Sequence, residues 1–171
     1  MVGVLAYGSL IDNPGDEIER VTHKVIDGVE TPFAVEFARS SNGRSGAPTL
    51  IPVENGGAQV RAEIFVLQKD VTEHQAKDLV YRREINQVGS GKRYDPPNQP
   101  GEDTVIVESI KDFAGLPSVV YTKIASNLDE VSPDHLADLA IESARKEGDS
   151  GRDGISYLIN AKRNGIETPL T

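Results

Sequence analysis

The chain has 171 residues, 37% of them hydrophobic and 26% charged, with a formal net charge of −9. That length suits one domain with a real core, 1–171, and the acidic balance argues against nucleic acid as the main partner, because phosphate binding needs a basic face. The absence of cysteine excludes disulfides, thiol nucleophiles and cysteine metal sites.

The opening residues carry no basic n-region, and their apolar run is too short for a signal peptide or a membrane span. The expectation is therefore a cytoplasmic protein with no membrane partner. With no Trp and four Phe, the core has to be aliphatic.

In chain order, Val2 to Ala6 reads as a short buried strand, extending to Tyr7. Tyr7-Gly8-Ser9-Leu10 follows it. Gly8 admits backbone conformations closed to other residues, and a Gly-Ser turn at a strand end aims several N–H groups at one point, which suits a carboxylate or a developing oxyanion. A plain strand-to-loop turn is the alternative. Phe33, Val35 and Phe37 alternate with Ala34, Glu36 and Ala38, the period of a half-buried strand. Arg39 to Pro48 is a polar loop whose Arg39 and Arg44 fit either a substrate carboxylate or solvent. Thr49 to Val53 is a short apolar piece, placed at a sheet edge by Pro52. Asn55-Gly56-Gly57 marks a turn, and Ala58 to Leu67 follows as a long strand.

Thr72-Glu73-His74-Gln75 has capping-box spacing and opens a helix running to Glu84. The loop Gln87 to Asp103 is long enough to be functional or mobile. Val105 to Val107 and Val119 to Ile124 give two more strands. Ser132-Pro133-Asp134 opens a second helix, with apolar Leu136, Leu139, Ala140 and Ala144. A last helix covers about Ile155 to Asn164 and stops at Gly165. Clustered strands outnumber helices, so the expected class is α+β with an antiparallel or mixed sheet.

On the Thr72 helix, Ala76, Leu79 and Val80 form an apolar stripe that continues through Arg83 and Glu84. Burial disfavours a charged carboxylate, and a helix C-terminus is itself partly negative, so both influences push the Glu84 pKa upward. Such a Glu is suited to passing a proton back and forth. The alternative is a structural bridge from Arg82 or Arg83. His23, His74 and His135 are scattered, and no His or carboxylate spacing suggests a metal. Neither Ser9 nor Ser40-Ser41 has a nearby His, and Gly148 to Gly154 lacks the Lys-Ser/Thr ending of a P-loop.

Taken together, four segments resemble the γ-glutamylcyclotransferase-like superfamily over residues 2–165. Val4 to Ile11, with Pro14 after it, resembles the substrate-loop motif. Leu79-Val80-Tyr81-Arg82-Arg83-Glu84 resembles the helix end of the ChaC-type branch, whose catalytic Glu falls on Glu84. Ser118-Val119-Val120-Tyr121 resembles the late strand carrying an active-site tyrosine. Gly151 to Leu158 resembles the entry to the last helix, with Asp153 where Asn is usual.

The resemblance implies a small mixed β-barrel with flanking helices. It also implies cyclisation of a γ-glutamyl group to 5-oxoproline without cofactor or metal. Tyr7, Gly8, Ser9 and Leu10 then hold the glutamyl end, and Glu84 carries the proton. Tyr121 either donates a hydrogen bond in the pocket or is a half-buried strand residue. In the ChaC branch a Gly-Gly-Tyr segment soon follows the Glu; here Ile85-Asn86-Gln87-Val88 intervenes before Gly89, Gly91 and Tyr94, which leaves the leaving amine open. Two further readings stand beside the enzyme: a small-molecule binding or regulatory protein on the same fold, and an acidic interaction module.

Overall fold

The computed structural model describes residues 1–171. In chain order the elements are β1 (Val2–Ala6), α1 (Ser9–Asp12), α2 (Asp16–Val21), β2 (Thr22–Glu30), β3 (Val35–Ser41), β4 (Ala47–Pro52), β5 (Arg61–Leu67), α3 (Glu73–Glu84), β6 (Ile106–Phe113), β7 (Leu116–Lys123), α4 (Pro133–Glu147) and α5 (Gly154–Arg163). The class is α+β. The chain divides into two compact units, residues 1–30 with 62–124 and residues 31–61 with 125–171.

The first unit is built on a five-stranded mixed sheet in the order β2-β5-β1-β7-β6. The apolar run at the N-terminus explains why β1 is central. Val4, Leu5 and Ala6 are at most 1% exposed, so both faces of the strand are covered and its sequence shows no polar alternation. β1 pairs antiparallel with β5, Val4 facing Phe65, and parallel with β7, Val4 facing Val120. Gly3 is required by close packing, since a Cβ there would stand 2.5 Å from Ile64 Cγ2 and 2.8 Å from Leu116 Cδ1.

Val4, Ala6, Phe65, Leu67, Val107 and Val120 form one core with Ala76 and Val80 of α3, joined by Leu10, Ile18 and Tyr94. Because β1 and β7 run parallel, their C-terminal ends emerge at the same end of the sheet. That is where open α/β sheets commonly place ligands, and here the Tyr7 turn leaves β1 just beyond the level of Tyr121 in β7. The small mixed β-barrel that the resemblance implied is not found: the ladder does not close on itself, and β2 and β6 are its two edges.

The second unit holds a two-stranded antiparallel ribbon, β3-β4, with a bulge between Phe37 and Arg39. Helices α4 and α5 pack on β4 and on each other. They approach closely at Gly154, where a Cβ would lie 2.8 Å from Ala140 Cα.

Three further expectations need correction. Residues 35–39 are buried without alternation, Glu36 included. The Glu36 carboxylate is tolerated inside because it accepts bonds from Phe37 N, Leu170 N and the Thr168 hydroxyl. The strand expected from Ala58 begins only at Arg61, and Ala58 makes a single bridge to Val35. The strand expected over Val105 to Val107 begins at Ile106 and is longer, β6 running to Phe113 and forming a hairpin with β7.

Candidate functional site

All six residues expected at the site fall in the first unit. Gly8 has φ 59° and ψ −135°, a region essentially reserved for glycine. It turns the chain sharply out of β1 into the single turn of α1, closed by Ile11 N–H donating to Gly8 O at 3.3 Å and Asn13 N–H to Ser9 O at 3.0 Å. The opening N–H groups of such a turn, here those of Ser9 and Leu10, have no intrahelical acceptor. The Leu10 side chain is buried in the core. Its contribution to a site is therefore its backbone, and its side chain anchors the turn. Tyr7 donates from its hydroxyl to Thr122 O across a long 3.5 Å, tying the turn to β7.

Helix α3 starts as the sequence predicts. Thr72 Oγ1 accepts from Gln75 N, and Gln75 Oε1 accepts from Thr72 N, completing the capping box. Its last turn carries Arg82, Arg83 and Glu84, each side chain with its own task. Arg83 Nη1 donates to Glu84 Oε1 at 2.8 Å. Its Nη2 donates to Ser9 O at 3.1 Å and to Ser9 Oγ at 3.3 Å. Nε and Nη2 both donate to Asn13 O, at 3.0 and 2.9 Å.

The Arg83 guanidinium, 74 residues on from Ser9, thus joins the Ser9 turn to the Glu84 carboxylate. The expectation of Glu84 on an apolar inward stripe is corrected here. Glu84 is half-buried with its side chain 26% exposed, and its carboxylate has a cation as partner. The structural bridge and the approach to the Ser9 turn are both present.

Tyr121 lies one residue past Val120, the last position of β7 paired with β1. It is half-buried and faces Glu108 across the β6–β7 ladder. Its hydroxyl donates to Glu108 Oε2 at 2.6 Å, so the phenol proton is committed to Glu108. Burial and that hydrogen bond push the phenol pKa well up. Lys123 pairs with Glu108 from the same strand, and it, ahead of Tyr121, holds the Glu108 carboxyl below its usual range.

Several structural contacts around the site were not read from the sequence, and Arg82, one of the two candidate bridges to Glu84, pairs elsewhere. Arg82, nearly buried, makes a two-pronged pair with Glu17 of α2, Nε to Oε2 at 2.9 Å and Nη2 to Oε1 at 3.0 Å, and donates from Nη1 to Lys92 O at 2.7 Å. Glu17 also accepts Gly89 N–H at 3.0 Å. Asp78 accepts Tyr94 N–H at 2.7 Å, and the Tyr94 hydroxyl accepts Val107 N–H at 3.0 Å. The long loop after α3 is therefore pinned near its start. The available signal was Asp78 and Arg82 at i, i+4 on a helix carrying Val80, a pattern that reads equally well as a solvated face.

In the second unit, Arg39 donates to Ala125 O at 2.8 Å, and Arg44 lies 4.1 Å over the Tyr157 ring. Both arginines are held by protein groups. Asp153 caps α5, accepting from Ile155 N and Ser156 N at 2.9 Å each. That is a role Asp fills as well as Asn. Ser156, through its hydroxyl and its N–H, holds the Asp153 carboxyl below the usual range.

No group of three His, Cys, Asp or Glu side chains is placed to hold a metal ion. No helix is long and apolar enough to cross a membrane. No protein-family model matches the chain, and no curated protein matches it.

Proposed function

We propose that this protein is a γ-glutamylcyclotransferase-like enzyme, converting the γ-glutamyl group of a γ-glutamyl peptide or amine to 5-oxoproline with release of the amine. The observation that carries this reading is the meeting of the Ser9 turn and the Glu84 carboxylate on the Arg83 guanidinium. It is supported by the order of the four resembling segments, which makes a γ-glutamylcyclotransferase-like scaffold the family of choice for this α+β fold. The parallel β1–β7 pair adds to it, because the Tyr7 turn and Tyr121 then lie toward the same end of two neighbouring strands.

The reaction is intramolecular. The neutral α-amine attacks the γ-carbonyl carbon, a C–N bond closes the five-membered ring, and the C–N bond to the departing amine breaks. Glu84 takes the proton lost by the attacking nitrogen and delivers it to the departing one, so no water or cofactor is consumed. Holding the glutamyl chain folded supplies much of the rate. The N–H groups at Ser9 and Leu10 face negative charge, either the glutamyl carboxylate or the oxyanion formed on attack.

The Arg83–Glu84 pair favours a second reading as well. In it the protein binds the same kind of ligand without turnover, and Glu84 serves as the counter-ion of Arg83. The experiment that separates the two is an assay of 5-oxoproline released from a panel of γ-glutamyl compounds by wild type and by Glu84→Gln. Turnover lost in Glu84→Gln with ligand affinity kept supports the enzyme. Ligand binding with no 5-oxoproline from wild type supports the binder.

A further inference from the structure

Arg83 has five N–H groups in a planar fork. Nε and Nη2 are taken up by Asn13 O, Ser9 O and Ser9 Oγ, and one N–H of Nη1 by Glu84. Nη1 carries a second N–H that no protein group accepts. The Arg83 side chain is 16% exposed, and its Nη1 stands beside the Glu84 carboxylate. The four bonds to Asn13 and Ser9 hold the guanidinium in place, so little side-chain freedom is left to lose when a ligand docks. An arginine fixed in this way offers a carboxylate one charge-assisted hydrogen bond from a preset position.

We infer that Arg83 is a substrate-binding residue whose remaining Nη1–H anchors the α-carboxylate of the glutamyl group. The inference rests on the cyclotransferase reading and deepens it. The α-carboxylate and the α-amine share one carbon, so a carboxylate held at Nη1 brings the amine beside the group that takes its proton, Glu84. Arg83 also lies between two carboxylates, that of Glu84 and that of the substrate, and offsets their mutual repulsion. The site then prefers ligands with a free α-carboxylate, whatever amine they release.

The test compares two substrates, γ-glutamyl-alanine and 4-aminobutanoyl-alanine. The second lacks only the α-carboxylate and cyclises to 2-pyrrolidone. Wild type, Arg83→Met and Arg83→Lys are assayed on both, with circular dichroism and thermal melts to check folding. If Arg83→Met does not fold, Arg83→Lys carries the comparison, because it keeps a cation and loses the fork.

The expected result is a drop in kcat/KM of roughly 30-fold for γ-glutamyl-alanine, mostly in KM, beyond any change for the decarboxylated substrate. Equal losses on both substrates would overturn the inference and reduce Arg83 to a support for Ser9 and Glu84. If wild type releases product from neither substrate, the enzyme reading fails separately. Calorimetric titration with γ-glutamyl-alanine then decides the matter: binding to wild type weakened in the variants supports the anchor, and absent or unchanged binding overturns it.

Discussion

Replacing Arg82 by Met tests the packing that holds the site. The side chains of Arg82 and Glu17 are 9% and 18% exposed, so the pair is largely withdrawn from water. Arg82→Met removes both bonds to Glu17 and the bond to Lys92 O, leaving Glu17 with Gly89 N–H. Breaking a buried pair from one side costs about 3–5 kcal/mol. Glu17 regains some water through its exposed part, so we expect about 2–3 kcal/mol, a Tm lower by roughly 5–10 °C for a chain of this size.

Urea unfolding gives the free energy, and a cycle with Glu17→Met isolates the pair. The double variant should be more stable than the Arg82→Met single, with a coupling of at least about 1 kcal/mol. Arg82 holds the Glu17 carboxyl below its ordinary 4.5. The contribution is therefore complete above that pH and fades as pH falls through the folded value, and this fading should vanish in Arg82→Met. A loss under about 0.5 kcal/mol, or no coupling in the cycle, would refute the reasoning.

Three other outcomes follow from single positions. Gly8→Val has to adopt φ 59°, ψ −135°, costing about 1–3 kcal/mol, and should weaken binding of γ-glutamyl compounds; unchanged affinity by calorimetry counts against the turn as a binding element. Lys111 and then Ser109 hold the Glu73 carboxyl down to about 2 from 4.5. Stability should accordingly rise with pH between those values, by on the order of 1 kcal/mol once solvent screening is allowed for, and Glu73→Gln should flatten that slope in acid unfolding curves. Asp153→Ala should lose about 1 kcal/mol with the α5 cap while Asp153→Asn stays within about 0.5 kcal/mol, both read from urea midpoints.

What was legible in the sequence is local chemistry. Thr72 with Gln75, Ser132 with Pro133, and Gly165 marked real helix ends because each motif satisfies backbone groups within a few residues. The β2 strand was missed because Thr22–Glu30 is largely exposed and has no apolar alternation. The polar half of β6 was missed for a similar reason: Lys111 and Asp112 are exposed, and Glu108 and Ser109 are satisfied by partners from elsewhere, Tyr121 and Glu73.

The site divides along the same line. Gly8 and the helix-end Glu84 could be read from their neighbours. The Arg83–Glu84 bridge was one of the two readings open there; that Arg83 also reaches Ser9 and Asn13, and that the Tyr121 hydroxyl donates to Glu108, depends on sheet register and on contacts between distant segments. A stripe drawn on an isolated helix contains neither.

The central claim is most directly tested by measuring 5-oxoproline released from γ-glutamyl-alanine by wild type and by Glu84→Gln, with both shown to be folded. The account predicts release by wild type and its loss in Glu84→Gln. Release at the wild-type rate by Glu84→Gln, or none by wild type across a panel of γ-glutamyl compounds, would contradict it.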